Sequence, residues 1–128
     1  MEFQVIFSSG KCVESIVLAI LVDRGLINYD DKVSLHWPEF SKNDKDGITI
    51  EDVLRHESGL ARFNDHVHQN KDILRENIKK NFIGRVIEDC KLDFPKSNDN
   101  VETKREYHGA TRGFILNEIV RRVDAQRR

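Results

Sequence analysis

A chain of 128 residues and 14.9 kDa is one domain by length, residues 1–128, and 38% hydrophobic with 34% charged residues marks a globular fold, not a disordered tail. Its 21 Lys and Arg against 22 Asp and Glu leave a formal charge of -1, without the basic excess that a general nucleic-acid binder needs. Residues 121–128 hold four Arg and one Asp, which suits an exposed helix end.

Residues 2–7 alternate loosely, with Phe3, Val5 and Phe7 on one side, and read as a short extended lead-in. At Ser8-Ser9-Gly10 the pattern turns helical and runs to about Arg24. Ser8 or Ser9 is placed to cap its start and Gly25 to end it. The longest apolar run, residues 16–22, is seven residues; a membrane span needs about 20. Being apolar on every face, that run predicts a central core helix, with Cys12 as a small buried thiol. Two cysteines make no disulfide framework, and Met1-Glu2 does not open a secretory signal, so a reducing, intracellular compartment is expected.

Residues 26–40 read as loop with short helical turns, and residues 41–47 as a solvated loop. Thr49 with Asp52 resembles a capping box opening a short helix to about His56, stopped by Ser58-Gly59. Residues 69–90 are amphipathic at helical spacing, with Gly84 as the candidate break. Residues 95–105 are loop-like, and a last helix over 111–123 buries Ile115, Leu116, Ile119, Val120 and Val123. Helices dominate and strands are almost absent, so the fold class is mainly α.

Four segments could carry chemistry. Ser8 is the one serine followed three residues later by a lysine, Lys11, which shares its helix face. The hydroxyl is then within reach of an amine able to shuttle its proton, at a helix start that favours developing negative charge. Taken alone, the pair also reads as a cap and a surface cation. His56-Glu57 offers an acid–base pair but sits where a helix ends, which favours a structural role. Tyr107 at the start of the last helix either points its phenol into a cleft, partly ionised by a nearby lysine, or is an ordinary half-buried aromatic. Asp65-His66-Val67-His68 invites a metal, but the further ligands a zinc site needs do not follow, so no metal is expected.

In order, these segments resemble the serine β-lactamase and penicillin-binding-protein superfamily, whose Ser-x-x-Lys opens a buried helix. The likeness is to its class C-like branch, with the β-lactamase-like proteins of animals and family VIII-type carboxylesterases. It rests on Phe7-Ser8-Ser9-Gly10-Lys11, on residues 26–33, and on residues 48–60 with their His56-Glu57-Ser58-Gly59-Leu60. It rests also on Tyr107-His108-Gly109 running into Asn117-Glu118-Ile119-Val120.

The resemblance implies a nucleophilic Ser8, activated with Lys11, and proton relay by Tyr107. It implies acyl transfer through a serine ester, substrate contacts near His108 and Gly109, and no cofactor. The substrate would be a small ester, amide or lactam. Gly109 stands where the family often has Asn, which favours ester or peptide over lactam. No Lys-Thr-Gly or His-x-Gly segment follows Tyr107, so the chain is expected to be the helical portion of that α+β fold, with most of its antiparallel sheet missing. The alternative is a catalytically inactive relative acting as an interaction or structural protein, with self-association through the exposed apolar core helix.

Overall fold

Helix α1 (Lys11–Asp23) follows directly on a 3-10 turn, Phe7–Gly10, so the first helical stretch begins where the sequence changes period. Neither serine caps it: the turn and the helix have no side-chain cap. The helix ends as expected. Gly25 takes φ 66°, its N–H donates to Val22 and that of Leu26 to Leu21, the paired bonds of a Schellman stop. The structure, a computed structural model, describes residues 5–63, 72, 74–94 and 104–124. The extended reading of residues 2–4, the His66/His68 pair, positions 69–71 and 73, and the loop at 95–103 lie outside them.

Two short elements follow, α2 (Val33–His36) and a 3-10 turn at Pro38–Ser41, and they bury Val33, Trp37 and Phe40. Helix α3 (Ile50–Leu54) carries the expected capping box, with the Thr49 hydroxyl and the Asp52 carboxylate each accepting the other's backbone N–H. Among the described residues, extended pairing amounts to one isolated antiparallel bridge, Lys32 with Thr49. The long amphipathic stretch is two helices, α4 (Arg75–Lys79) and α5 (Phe82–Asp89). They part at Asn81, left-handed at φ 52°, rather than at Gly84. Gly84 lies inside α5 because the Asn81 side chain packs on it; a Cβ there would meet Asn81 Nδ2 at 2.4 Å.

Helix α6 (Thr111–Val123) is the hub: α1, α2, α3 and α5 all pack on it. It buries Ile115, Leu116 and Ile119, while Val120 and Val123 pack at the margin of the core. Near its C-terminal end, the buried Glu88 and Glu118 meet Arg122, and Trp37 Nε1 donates to Glu88 Oε1 at 2.9 Å. At the other end Arg112 ties α6 to α1, donating to Ser15 Oγ at 2.7 Å.

The expectation of a fully enclosed α1 is corrected. Leu18 and Leu21 are buried against the core, but Val13, Ile16 and Ile20 are 55%, 57% and 43% exposed. The apolar run describes what the helix is made to meet, and in this structure one side meets it. Cys12, expected to be buried, is exposed for the same reason, while Cys90 is buried; both are free thiols. No helix among the described residues is long and apolar enough to cross a membrane.

Candidate active site

Ser8 sits in the 3-10 turn ahead of α1, after Phe7 at φ 42°, and its side chain is exposed. Lys11 is the first residue of α1, so helical geometry brings its side chain back over the turn that carries Ser8. The third group arrives from far along the chain. Tyr107 lies on the segment leading into α6, and its hydroxyl donates to Ser8 Oγ at 2.6 Å. The Lys11 ammonium donates to the Gly109 carbonyl at 2.6 Å and stands 5.2 Å from the centre of the Tyr107 ring. The structure thus brings Ser8, Lys11, Tyr107 and Gly109 together on one open face.

The electrostatics follow from that contact. The hydrogen bond with the Ser8 hydroxyl, aided by the Lys11 ammonium, holds the Tyr107 phenol below its ordinary range. A phenolate at this position would accept from Ser8, reversing the bond, and so act as the base that a weakly acidic serine requires. Gly109 contributes its carbonyl. A Cβ at this residue would meet nothing nearer than Tyr107 Cε1 at 3.7 Å.

His108 faces the other way. Its ring is fully buried, and both nitrogens are engaged within the protein. Leu60 N–H donates to Nε2 at 3.3 Å, which makes Nε2 the acceptor, and the Ser58 hydroxyl lies 2.8 Å from the same atom. The proton is therefore on Nδ1, which donates to the Glu106 carbonyl at 2.5 Å. Burial lowers the pKa of this imidazole. The His108 side chain, expected near the substrate, lies buried and joins the segment of Tyr107 to the turn after α3.

That turn is densely bonded. Glu57 is buried and pairs with Arg105 at 2.5 Å and with Arg55 at 3.4 Å, so the structural role expected for the His56-Glu57 pair holds for the carboxylate. Thr111 Oγ1 donates to the Leu60 carbonyl at 2.7 Å, and Arg62 pairs with Glu106. His56 accepts twice from the segment of Tyr107: its carbonyl from Glu106 N–H at 3.1 Å and its Nδ1 from His108 N–H at 3.0 Å. Sequence reasoning missed this contact, and its one local signal was a histidine placed just past a helix end.

Comparison with known proteins bears on the family of the chain. The family model described as Beta-lactamase matches residues 3–128. The esterase/beta-lactamase LipL of Mycobacterium tuberculosis is 29% identical over 121 residues, covering 92% of this chain and 25% of that protein. A penicillin-binding protein homolog from Caulobacter crescentus aligns with TM-score 0.74 and 32% identity, over 92% of this chain and 29% of its own. A family VIII carboxylesterase aligns with TM-score 0.80 and 25% identity, over 95% of this chain and 30% of its own. The chain therefore spans between a quarter and a third of the length of these relatives.

Proposed function

The chain belongs to the beta-lactamase family, and on that premise we propose that it is a serine hydrolase in which Ser8 is the nucleophile, Lys11 its activating partner and Tyr107 the proton relay. The observation that carries this reading is the 2.6 Å hydrogen bond between the Tyr107 and Ser8 hydroxyls beside the Lys11 ammonium. Ser8 Oγ adds to the substrate carbonyl carbon as its proton passes to the Tyr107 phenolate. The tetrahedral adduct then expels the leaving alkoxide, which takes that proton, and a serine ester remains. Water adds to the ester carbon, giving its proton to Tyr107, and the acid departs as Ser8 recovers its hydrogen. The Lys11 cation stabilises the phenolate at the start of each half-reaction.

Esters are the preferred substrate class. Two relatives are named as an esterase/beta-lactamase and a carboxylesterase, and position 109 is glycine, offering no side-chain amide to a lactam. The test is release of nitrophenol from short-chain nitrophenyl esters. The reading expects a burst followed by slower turnover, with the burst abolished in Ser8→Ala; equal release by parent and variant would contradict it.

A second reading has its own support. A groove of about 280 Å³ between α1 and α6 is lined by Val13, Val17, Leu18, Leu116 and Val120, and Ile16 and Ile20 of α1 are exposed as well. Apolar surface of this kind suits a catalytically inactive relative that works as an interaction or structural protein, associating with itself through α1.

A further inference from the structure

The turn after α3 has a feature that chain reversal alone does not require. The N–H of His56 donates to Val53 and that of Glu57 to Asp52, the two bonds of a Schellman stop, with His56 at its left-handed position, φ 65°. Glycine is the default there, as at Gly25 after α1, because a Cβ strains the left-handed conformation. A histidine held in that conformation indicates a side chain with work to do.

Its contacts identify the work. Glu106 and His108 both donate their backbone N–H to His56, one to its carbonyl and the other to Nδ1. Tyr107 lies between these two donors, and its ring packs on the imidazole at a centroid distance of 5.0 Å. With the backbone held on both sides, the Tyr107 ring rests on the imidazole and its hydroxyl reaches Ser8 Oγ. We propose that His56 is the positioning residue of this site: its carbonyl and Nδ1 clamp the backbone on both sides of Tyr107 so that the phenol falls on Ser8. The inference rests on the reading of Ser8 and Tyr107 as the reacting pair. His56 itself touches no reacting atom.

Nδ1 must be an unprotonated acceptor, which puts the proton of the neutral ring on Nε2. Burial lowers the His56 pKa to about 4, with further contributions from the charges of His108, Arg112, Lys11 and Arg105. The clamp is therefore set across the neutral range.

Two substitutions separate positioning from folding, because both residues accept a left-handed φ. His56→Asn keeps an acceptor oxygen two bonds beyond Cβ, where Nδ1 stands; His56→Gly removes it and relieves the strained stop. The readout is the tyrosinate absorbance of Tyr107, isolated by Tyr29→Phe since the chain has two tyrosines. In that background Tyr107 is expected to titrate below the ordinary tyrosine range, His56→Gly to return it upward, and His56→Asn to keep it low. Adduct formation with a fluorophosphonate is expected to slow on the order of a hundredfold in His56→Gly, as for a reacting group misplaced by about 1 Å. Circular dichroism is expected to report both variants folded.

A low titration unchanged by His56→Gly would overturn the proposal while leaving the reading of Ser8 intact. An upward return in His56→Gly, reversed in His56→Asn, would support the clamp even if the parent formed no adduct; that result would count against the hydrolase reading alone. Ordinary titration of Tyr107 in the parent would overturn both.

Discussion

The Tyr107 hydroxyl meets Ser8 Oγ at 2.6 Å across 99 positions of sequence, Ser8 lying just ahead of α1 and Tyr107 just ahead of α6. The α1–α6 packing, fastened by Arg112 and Ser15, is what makes the contact possible. Tyr107→Phe keeps the ring on His56 and removes the hydroxyl alone. It is expected to lower the acylation rate of Ser8 by about a hundredfold to ten-thousandfold, the range for losing a general base. Stopped-flow acylation by an activated ester reads it, and a change of less than about threefold would remove Tyr107 from the relay.

Stability should fall with acid over a defined window. In an unfolded chain the His56 imidazole takes its proton near 6.5, whereas in the fold it does so at about 4. Above pH 6.5 both states are neutral and the residue gives no slope. As pH falls from 6.5 to about 4 the unfolded state binds the proton first, so stability is lost progressively, and the loss is complete below about 4. His108, also lowered by burial, adds a slope of the same sign. Urea midpoints across this range should decline less steeply in His56→Asn than in the parent; parallel curves would show that His56 is not held neutral.

How much of this was legible depended on how local the signal was. The Thr49–Asp52 capping box and the Gly25 stop are completed within a few residues, and each was readable from spacing. The nearness of Ser8 and Lys11 along the chain was local too, although Ser8 lies in the 3-10 turn and Lys11 opens α1. Tyr107 could be joined to them through the order of motifs alone, since its contact is 99 positions away. The enclosure expected for α1 failed because apolar residues on every face state a need for cover without showing that cover is present. Gly84 was the natural candidate for the helix break, but Asn81 can take the left-handed turn itself and needs a glycine three residues on to pack against. His56 was masked by its position: a residue past a helix end reads as a stop, and the two N–H groups that give it a second role come from beyond residue 105.

Lys45 is fully buried without belonging to the site. Its ammonium donates to the carbonyls of Glu88 at 3.0 Å and Cys90 at 2.5 Å, closing the C-terminal end of α5. Lys45→Met retains most of the volume and leaves both carbonyls without this donor. The expected loss is about 1.5–3 kcal/mol, the range for a hydrogen bond to a charged group. A urea midpoint equal to the parent's would show that the ammonium only offsets its own desolvation.

The exposed side of α1 distinguishes the two functional readings. Ile16→Lys with Ile20→Lys replaces two side chains that are 57% and 43% exposed, so stability should change by less than about 0.5 kcal/mol per site. If α1 is a self-association surface, sedimentation of the parent will show concentration-dependent assembly and the double variant will run as a monomer. A parent that is monomeric at all concentrations would contradict that use of the face.

The most direct test of the central claim is intact mass after incubation with a serine-reactive fluorophosphonate, with Ser8→Ala alongside. A single adduct is expected on the parent, mapped to Ser8 and absent from the variant, because the Tyr107 hydroxyl and the Lys11 ammonium make that serine unlike the other exposed serines. An unmodified parent, or an adduct that persists in Ser8→Ala, would contradict it.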